Sequence, residues 1–190
     1  MPDDNWPYRN HPVENDRQYG HKAPKFERHI FISRDQIFYD LDAQIGMVAK
    51  ARKKEDGTED DSLTNATETY RQQFYRWIDK YLGNAKSAMS AFVLEKFKTT
   101  DMNSIRDKEE VDIELLMPQY YDDTVFMQLT NAVHDYIVNG TLAEYFCLVL
   151  TSKDPVAVDK KEQTADALSD IKKYVQASKP GTVSKRFSPF

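Results

Sequence analysis

"YDDTVFMQLTNAVHDYIVNGTLAEYFCLVLTSKDP", residues 121–155, is a long apolar stretch with a possible joint near its middle. Apolar residues recur at helical spacing on both sides of Asn139-Gly140-Thr141: Val125, Phe126, Leu129, Ala132, Val133, Tyr136 and Ile137 before it, Leu142, Tyr145, Phe146 and Val149 after it. Asp122 or Asp123 can cap the first run, and Gly140 reads as a terminating residue in the left-handed conformation. Thr141 and Glu144 form a Thr-x-x-Glu capping box that starts a second, shorter helix. The expectation is a helical hairpin jointed at Asn139-Gly140-Thr141.

Working outward, the same 3.6-residue period organises most of the chain. Ser33 precedes Ile37, Phe38, Leu41, Ile45 and Val48, which predict a helix over 34–51. Tyr70, Phe74, Trp77, Ile78, Tyr81 and Leu82 form the stripe of a second helix, which Gly83-Asn84 is expected to end. A third follows with Ala85, Ala88, Met89, Phe92, Val93 and Phe97 facing inward. After the hairpin, Asp154-Pro155 is a cap followed by a first-turn proline, and Ala165, Leu168, Ile171, Tyr174 and Val175 carry a last helix to about residue 177. The fold class is mainly α, a bundle of about six helices with one or two short strands.

One segment breaks the period. Val111, Ile113 and Leu115 alternate with Asp112 and Glu114, which predicts a half-buried strand closing at Pro118. A strand cannot satisfy its own backbone. Three partners are open to it: the extended "HIFIS" piece, residues 29–33, a terminal arm, or a neighbouring copy.

Both ends differ from this body. Pro2, Pro7, Pro12 and Pro24 interrupt the first residues, yet Trp6, Tyr8, Tyr19 and Phe26 are large anchors that a purely solvated tail does not need. After Asp170 come Lys172, Lys173, Lys179, Lys185 and Arg186 with no acidic residue. The expected organisation is an extended arm over 1–30, a helical domain over 31–178 and a basic arm over 179–190. Contacts with partners are expected from Trp6, Tyr8, Tyr19, Phe26, Lys179, Lys185, Arg186, Phe187 and Phe190.

Composition bounds the function. With 190 residues and 40% apolar content the chain can build one ordinary core. No run approaches a membrane span, and the first residues lack the pattern of a secretory signal, so a cytosolic origin is expected. A net charge of −5 argues against a general nucleic-acid binder. In "KARKKEDGTEDDS" the acids largely cancel Lys50, Arg52, Lys53 and Lys54, which reads as a solvated loop and not a phosphate site.

Site chemistry is sparse. His134 and Asp135 are sequence neighbours, about 100° apart on a helix, and no His or Cys stands three or four residues from His134. Cys147 is alone among Phe146, Leu148, Val149 and Leu150 and reads as packing. His29 lies with His11 and His21 at irregular spacing, which makes a poor zinc pattern. No Gly-rich phosphate loop or nucleophile elbow occurs. No catalytic residue, metal or cofactor is expected. An enzyme would have to draw on Tyr121, Asp122, His134 and Asp135.

The succession of a Tyr/Trp-rich helix, an Ala-rich helix, a strand ending in "LLMPQYYDD", then "LTNAVHDYIVNGTLAEYF" and a helix running into a basic tail resembles the small head-to-tail connector proteins of tailed bacteriophages, nearest to versions from phages of gut Bacteroidetes. The resemblance spans residues 66–178 and rests on Met117-Pro118, Tyr121-Asp122, Leu129, Ala132, Tyr136-Ile137, Leu142 and Tyr145-Phe146. It implies a ring-forming neck or adaptor subunit of the virion, commonly twelve copies, made in the host cytoplasm and seated between the portal and the tail proteins. DNA in the channel would meet only nonspecific charge, and no membrane is implied. The N-terminal arm has no counterpart in that pattern. The competing expectation is a non-viral helical adaptor or regulatory protein that binds a single partner.

Overall fold

A computed structural model describes residues 25–52, 63, 66–94, 110–119 and 121–177. The element order is β1 (Lys25–Ser33), α1 (Arg34–Ala51), α2 (Ala66–Thr69), α3 (Arg71–Ala88), β2 (Glu110–Pro118), α4 (Asp123–Val149) and α5 (Pro155–Ala177). The described chain is mainly helical, with five helices where about six are expected, and one antiparallel sheet of two strands.

Residues 121–155 depart most from expectation. α4 runs without interruption through Asn139-Gly140-Thr141, so the hairpin is one helix of 27 residues. Gly140 has no left-handed backbone; it is a point of close approach, where an added Cβ would lie 2.4 Å from Cε1 of Tyr81 on α3. Burial of Ile137, Val138, Leu142 and Ala143 around it outweighs the helix cost of one glycine, about 1 kcal/mol against alanine. The capping box does not form either. Thr141 is fully buried, and Glu144 accepts from Lys80 Nζ (2.6 Å) and Tyr81 Oη (3.2 Å).

Gly83-Asn84 also fails to end its helix: α3 continues to Ala88, and both residues are exposed on its outer side. The expected third helix is therefore the last turn of α3, and its inward set splits. Ala85 and Met89 stay in the core, whereas Phe92–Leu94 turns away to pair with β2. Because a Cβ at Gly83 meets nothing within 4 Å, Gly83→Ala is expected to raise stability by about 0.5–1 kcal/mol. Chemical denaturation would read this as a higher midpoint at unchanged slope.

Packing centres on α4, which is buried along most of its length and touches α1, α3 and α5. α3 runs antiparallel to it: Phe74 meets Tyr145 (ring centroids 5.4 Å apart), and Tyr81 meets Tyr136 (5.3 Å) about two and a half turns earlier on α4. Phe38 of α1 closes the cluster against Phe74 and Tyr75. Caps hold the ends. Asp122 accepts from the amides of Thr124 (2.7 Å) and Val125 (3.3 Å), and Asp154 accepts from Val156 N (3.0 Å), as the sequence predicts. Ser33 stands at the start of α1 with extended backbone, but its hydroxyl makes no capping bond.

The partner of the isolated strand is the segment around "HIFIS", within the same chain. β1 pairs antiparallel with β2 from Lys25↔Pro118 to Ser33↔Glu110. Ile30 and Ile32 of β1 and Val111, Ile113, Leu115 and Met117 of β2 face the helices. β1 thus takes in residues 25–30 of the expected arm.

Candidate functional site

The residues an enzyme would need do not converge. Tyr121 donates to the carbonyl of Tyr174 (3.0 Å), and Asp122 is committed to its cap. His134 lies 12 residues further along, about 18 Å up the helix, half-buried with Nε2 3.1 Å from Asp40 and Nδ1 3.5 Å from Asp135. Cys147 is half-buried and packed against the core. Arg52 is held by Asp154, so the basic run 50–54 gives up one of its charges within the described residues.

Of the expected partner contacts, Phe26 is placed in β1 opposite Met117 and is half-buried. Trp6, Tyr8, Tyr19, Lys179, Lys185, Arg186, Phe187 and Phe190 lie outside the described residues.

What the described chain presents instead is a sheet edge. Leu116 N–H donates to Phe92 O (2.7 Å), and Glu114 O accepts from Leu94 N–H (2.9 Å), so the even-numbered backbone groups of β2 point toward Phe92–Leu94. Its odd-numbered groups therefore face β1. The register makes Phe26↔Met117, Arg28↔Leu115, Ile30↔Ile113 and Ile32↔Val111 the hydrogen-bonded pairs. Hence the N–H and C=O of Glu27, His29 and Phe31 point outward, and no hydrogen bond links them to another described residue. Phe31 is 60% exposed, with the His29 ring stacked 5.4 Å from it.

The charge on this solvated face is uneven. Glu27, Asp112 and Glu114 share it with Lys25 and with His29, whose Nδ1 lies 3.3 Å from Asp112. His29, Asp112 and Glu114 bring their ligand atoms within 4.8 Å of one another, although all three are solvent-facing. Arg28 supplies no compensation here, because it reaches to the other side and binds Asp123 (2.6 Å) and the carbonyl of Tyr121 (3.0 Å). Sequence reasoning missed the edge, since which backbone groups are free depends on register.

A second surface is a groove of about 400 Å³ between α4 and α5, where Asp135, Asp166 and Asp170 stand among Asn139, Gln163 and Tyr174. Beside it Lys160 bonds Asn139 and Gln163, and burial lowers its pKa. The groove can hold a basic group by charge and amide hydrogen bonds. A third feature is Arg34, 5% exposed, with Nη2 on Asp79 (2.7 Å) and its guanidinium over Tyr75.

Tyr121 joins β1 to α5 through Arg28 and Tyr174, and burial raises its hydroxyl pKa to about 12. An unfolded tyrosine ionises near 10. Between those values the unfolded chain has lost its proton while the folded chain keeps it, so stability is complete below pH 10 and falls as pH rises toward 12. Phenolate absorbance should show a late-ionising tyrosine, with ellipticity lost over the same interval; Tyr121→Phe should flatten that alkaline slope.

Asp122 and Asp154 act at the opposite limit. The amides of Thr124 and Val125 lower the first, and Arg52 chiefly lowers the second. Their contribution is present above the ordinary carboxylate range and is lost as pH falls through their depressed values.

No match is found with protein-family models, with curated proteins or with solved structures. Among the described residues no helix is long and apolar enough to cross a membrane.

Proposed function

We propose that the chain is a structural virion protein: a subunit of the ring that joins a phage portal to the tail, assembling through its helical body and its terminal arms. The observation that supports this reading is where the first strand begins and the last helix ends. β1 begins and α5 ends at one end of the body, tied there by Arg28 to the Tyr121 carbonyl and by the Tyr121 hydroxyl to the Tyr174 carbonyl. Lys25 and Ala177, the first residue of β1 and the last of α5, therefore both lie toward the N-terminus of α4.

A rigid body with two chain ends at one pole suits repeated head-to-tail contact, in which each copy grips a neighbour or the next protein in the stack. Exposed apolar groups away from that pole, Tyr39 and Met47 on α1 and Leu148 at the end of α4, provide lateral contact area. The partners are further copies, twelve on the phage resemblance, with the portal on one side and a neck or tail protein on the other. No cofactor takes part, and the site of action is the virion neck.

Light scattering of the purified chain, alone at high concentration and mixed with portal protein, tests this. A closed oligomer is expected; a monomer that persists with portal present overturns the reading. The acidic groove between α4 and α5 favours the alternative, an adaptor that docks one basic partner. Cross-linked products that stop at a heterodimer would select it.

A further inference from the structure

We propose that His29, Asp112 and Glu114 form a binding site for one divalent transition-metal ion, with zinc the best fit, and that the ion clips β1 to β2 across the polar face of the sheet. The three ligands belong to one chain, so the site stands apart from ring assembly.

Register brings the ligands together. His29 lies directly across from Glu114, and Phe31 across from Asp112. Asp112 and Glu114 are two residues apart on β2 and therefore share a face. The His29↔Glu114 pair exchanges no backbone hydrogen bonds, the arrangement in which opposed side chains stand closest. A ring nitrogen of His29 and one carboxylate oxygen each from Asp112 and Glu114 all lie within 4.8 Å of one another. His29 and Asp112 are 83 residues apart in sequence, so no ligand spacing announces the site.

The distances suit a small ion. Donors about 2.0–2.2 Å from zinc in tetrahedral directions are separated by roughly 3.4 Å. Nδ1 of His29 and Oδ1 of Asp112 are 3.3 Å apart, already at that spacing. The widest separation in the triad has to close by no more than about 1.4 Å, which side-chain torsions can supply. The His29 ring is stacked on Phe31, centroids 5.4 Å apart and planes within 6°, which restricts its rotation. Beneath it, buried Ile30, Ile32, Val111 and Ile113 anchor both strands to the helices, so the ligands stand on a fixed scaffold.

Charge and donor type select the ion. Glu27, Asp112 and Glu114 crowd a face whose other charged group is Lys25, while Arg28 is held by Asp123 on the opposite side. A dication offsets the repulsion between the neighbouring carboxylates. Magnesium and calcium favour all-oxygen sets, whereas an imidazole nitrogen beside carboxylate oxygens favours the zinc class. The ion is structural: it adds a cross-strand tie to a sheet of two strands.

Calorimetric titration of Zn²⁺ into the full chain, first freed of metal by chelation, tests this without any partner. A binding event is expected that His29→Ala and Asp112→Asn each weaken at least about tenfold, with the far-ultraviolet circular dichroism of both variants unchanged. Millimolar Mg²⁺ should leave the zinc affinity unaltered. In the unaltered chain, trace Co²⁺ as a paramagnetic stand-in should broaden or shift the amide signals of residues 28–30 and 112–114 before any others, a readout that does not depend on the variants folding. Absence of zinc binding would overturn the proposal. So would an affinity that survives both substitutions or cobalt effects centred elsewhere, which assign the ion to other residues, and equal competition by Mg²⁺, which reduces the site to diffuse charge.

Discussion

Phe74→Ala is expected to lower the free energy of unfolding by about 3–5 kcal/mol. Phe74 is fully buried where α1, α3 and α4 meet, edge-on to Phe38 (6.3 Å) and Trp77 (5.5 Å) and tilted against Tyr145 (5.4 Å). Its neighbours belong to three helices, each fixed by other contacts, so the space left by the ring cannot close by a local shift. The loss combines the transfer of a phenyl group to water with the unfilled volume. For a chain of this length the melting temperature should drop by roughly 6–20 °C. A loss under about 1 kcal/mol would mean that this ring cluster is not the centre of the core.

Gly140→Ala should destabilise by about 1–2 kcal/mol, against the usual helix preference for alanine. The new methyl would sit 2.4 to 2.6 Å from three atoms of the Tyr81 ring. That ring is held by an edge contact with Tyr136, a hydroxyl bond to Glu144 and the Lys80 ammonium 5.3 Å from its centre. Moving it sacrifices those contacts, and their loss exceeds the propensity gain of up to about 1 kcal/mol. In a Tyr81→Ala background the conflict disappears, so Gly140→Ala should become neutral or stabilising, as Gly83→Ala is. A thermodynamic cycle of the four proteins isolates the coupling. Additive effects would show that Gly140 is present for some reason other than close approach.

These two residues also mark where sequence and structure part. Helical spacing was legible through α1, α3, both halves of α4 and α5, because each buries one stripe. The alternation in β2 was legible for the same reason. Glycine in a helical pattern was not: Gly83 faces solvent inside α3 and Gly140 faces a ring inside α4, and identical local chemistry cannot separate either case from a stop. Residues 141–149 continue the helix because Leu142, Tyr145 and Phe146 find partners on α3, a tertiary fact that a capping motif does not encode. Phe92–Leu94 left the helical pattern for the edge of β2 on similar grounds.

The candidate surfaces were less legible than the core. Phe26 was expected in an arm and lies in β1. The acidic face of the sheet carried no sequence signal, since Glu27, Asp112 and Glu114 come together only once β1 and β2 are in register. Arg34, almost wholly buried on Asp79 and Tyr75, carries no sequence signal that distinguishes it from an exposed first-turn arginine.

Whether this helical body is a ring subunit, as proposed, can be read from native mass spectrometry over a rising concentration series. One closed stoichiometry is expected, with no ladder of intermediate sizes at saturation, because a head-to-tail contact that closes leaves no free end. A monomer at every concentration even with portal protein added, or an open-ended ladder that never converges, would contradict it.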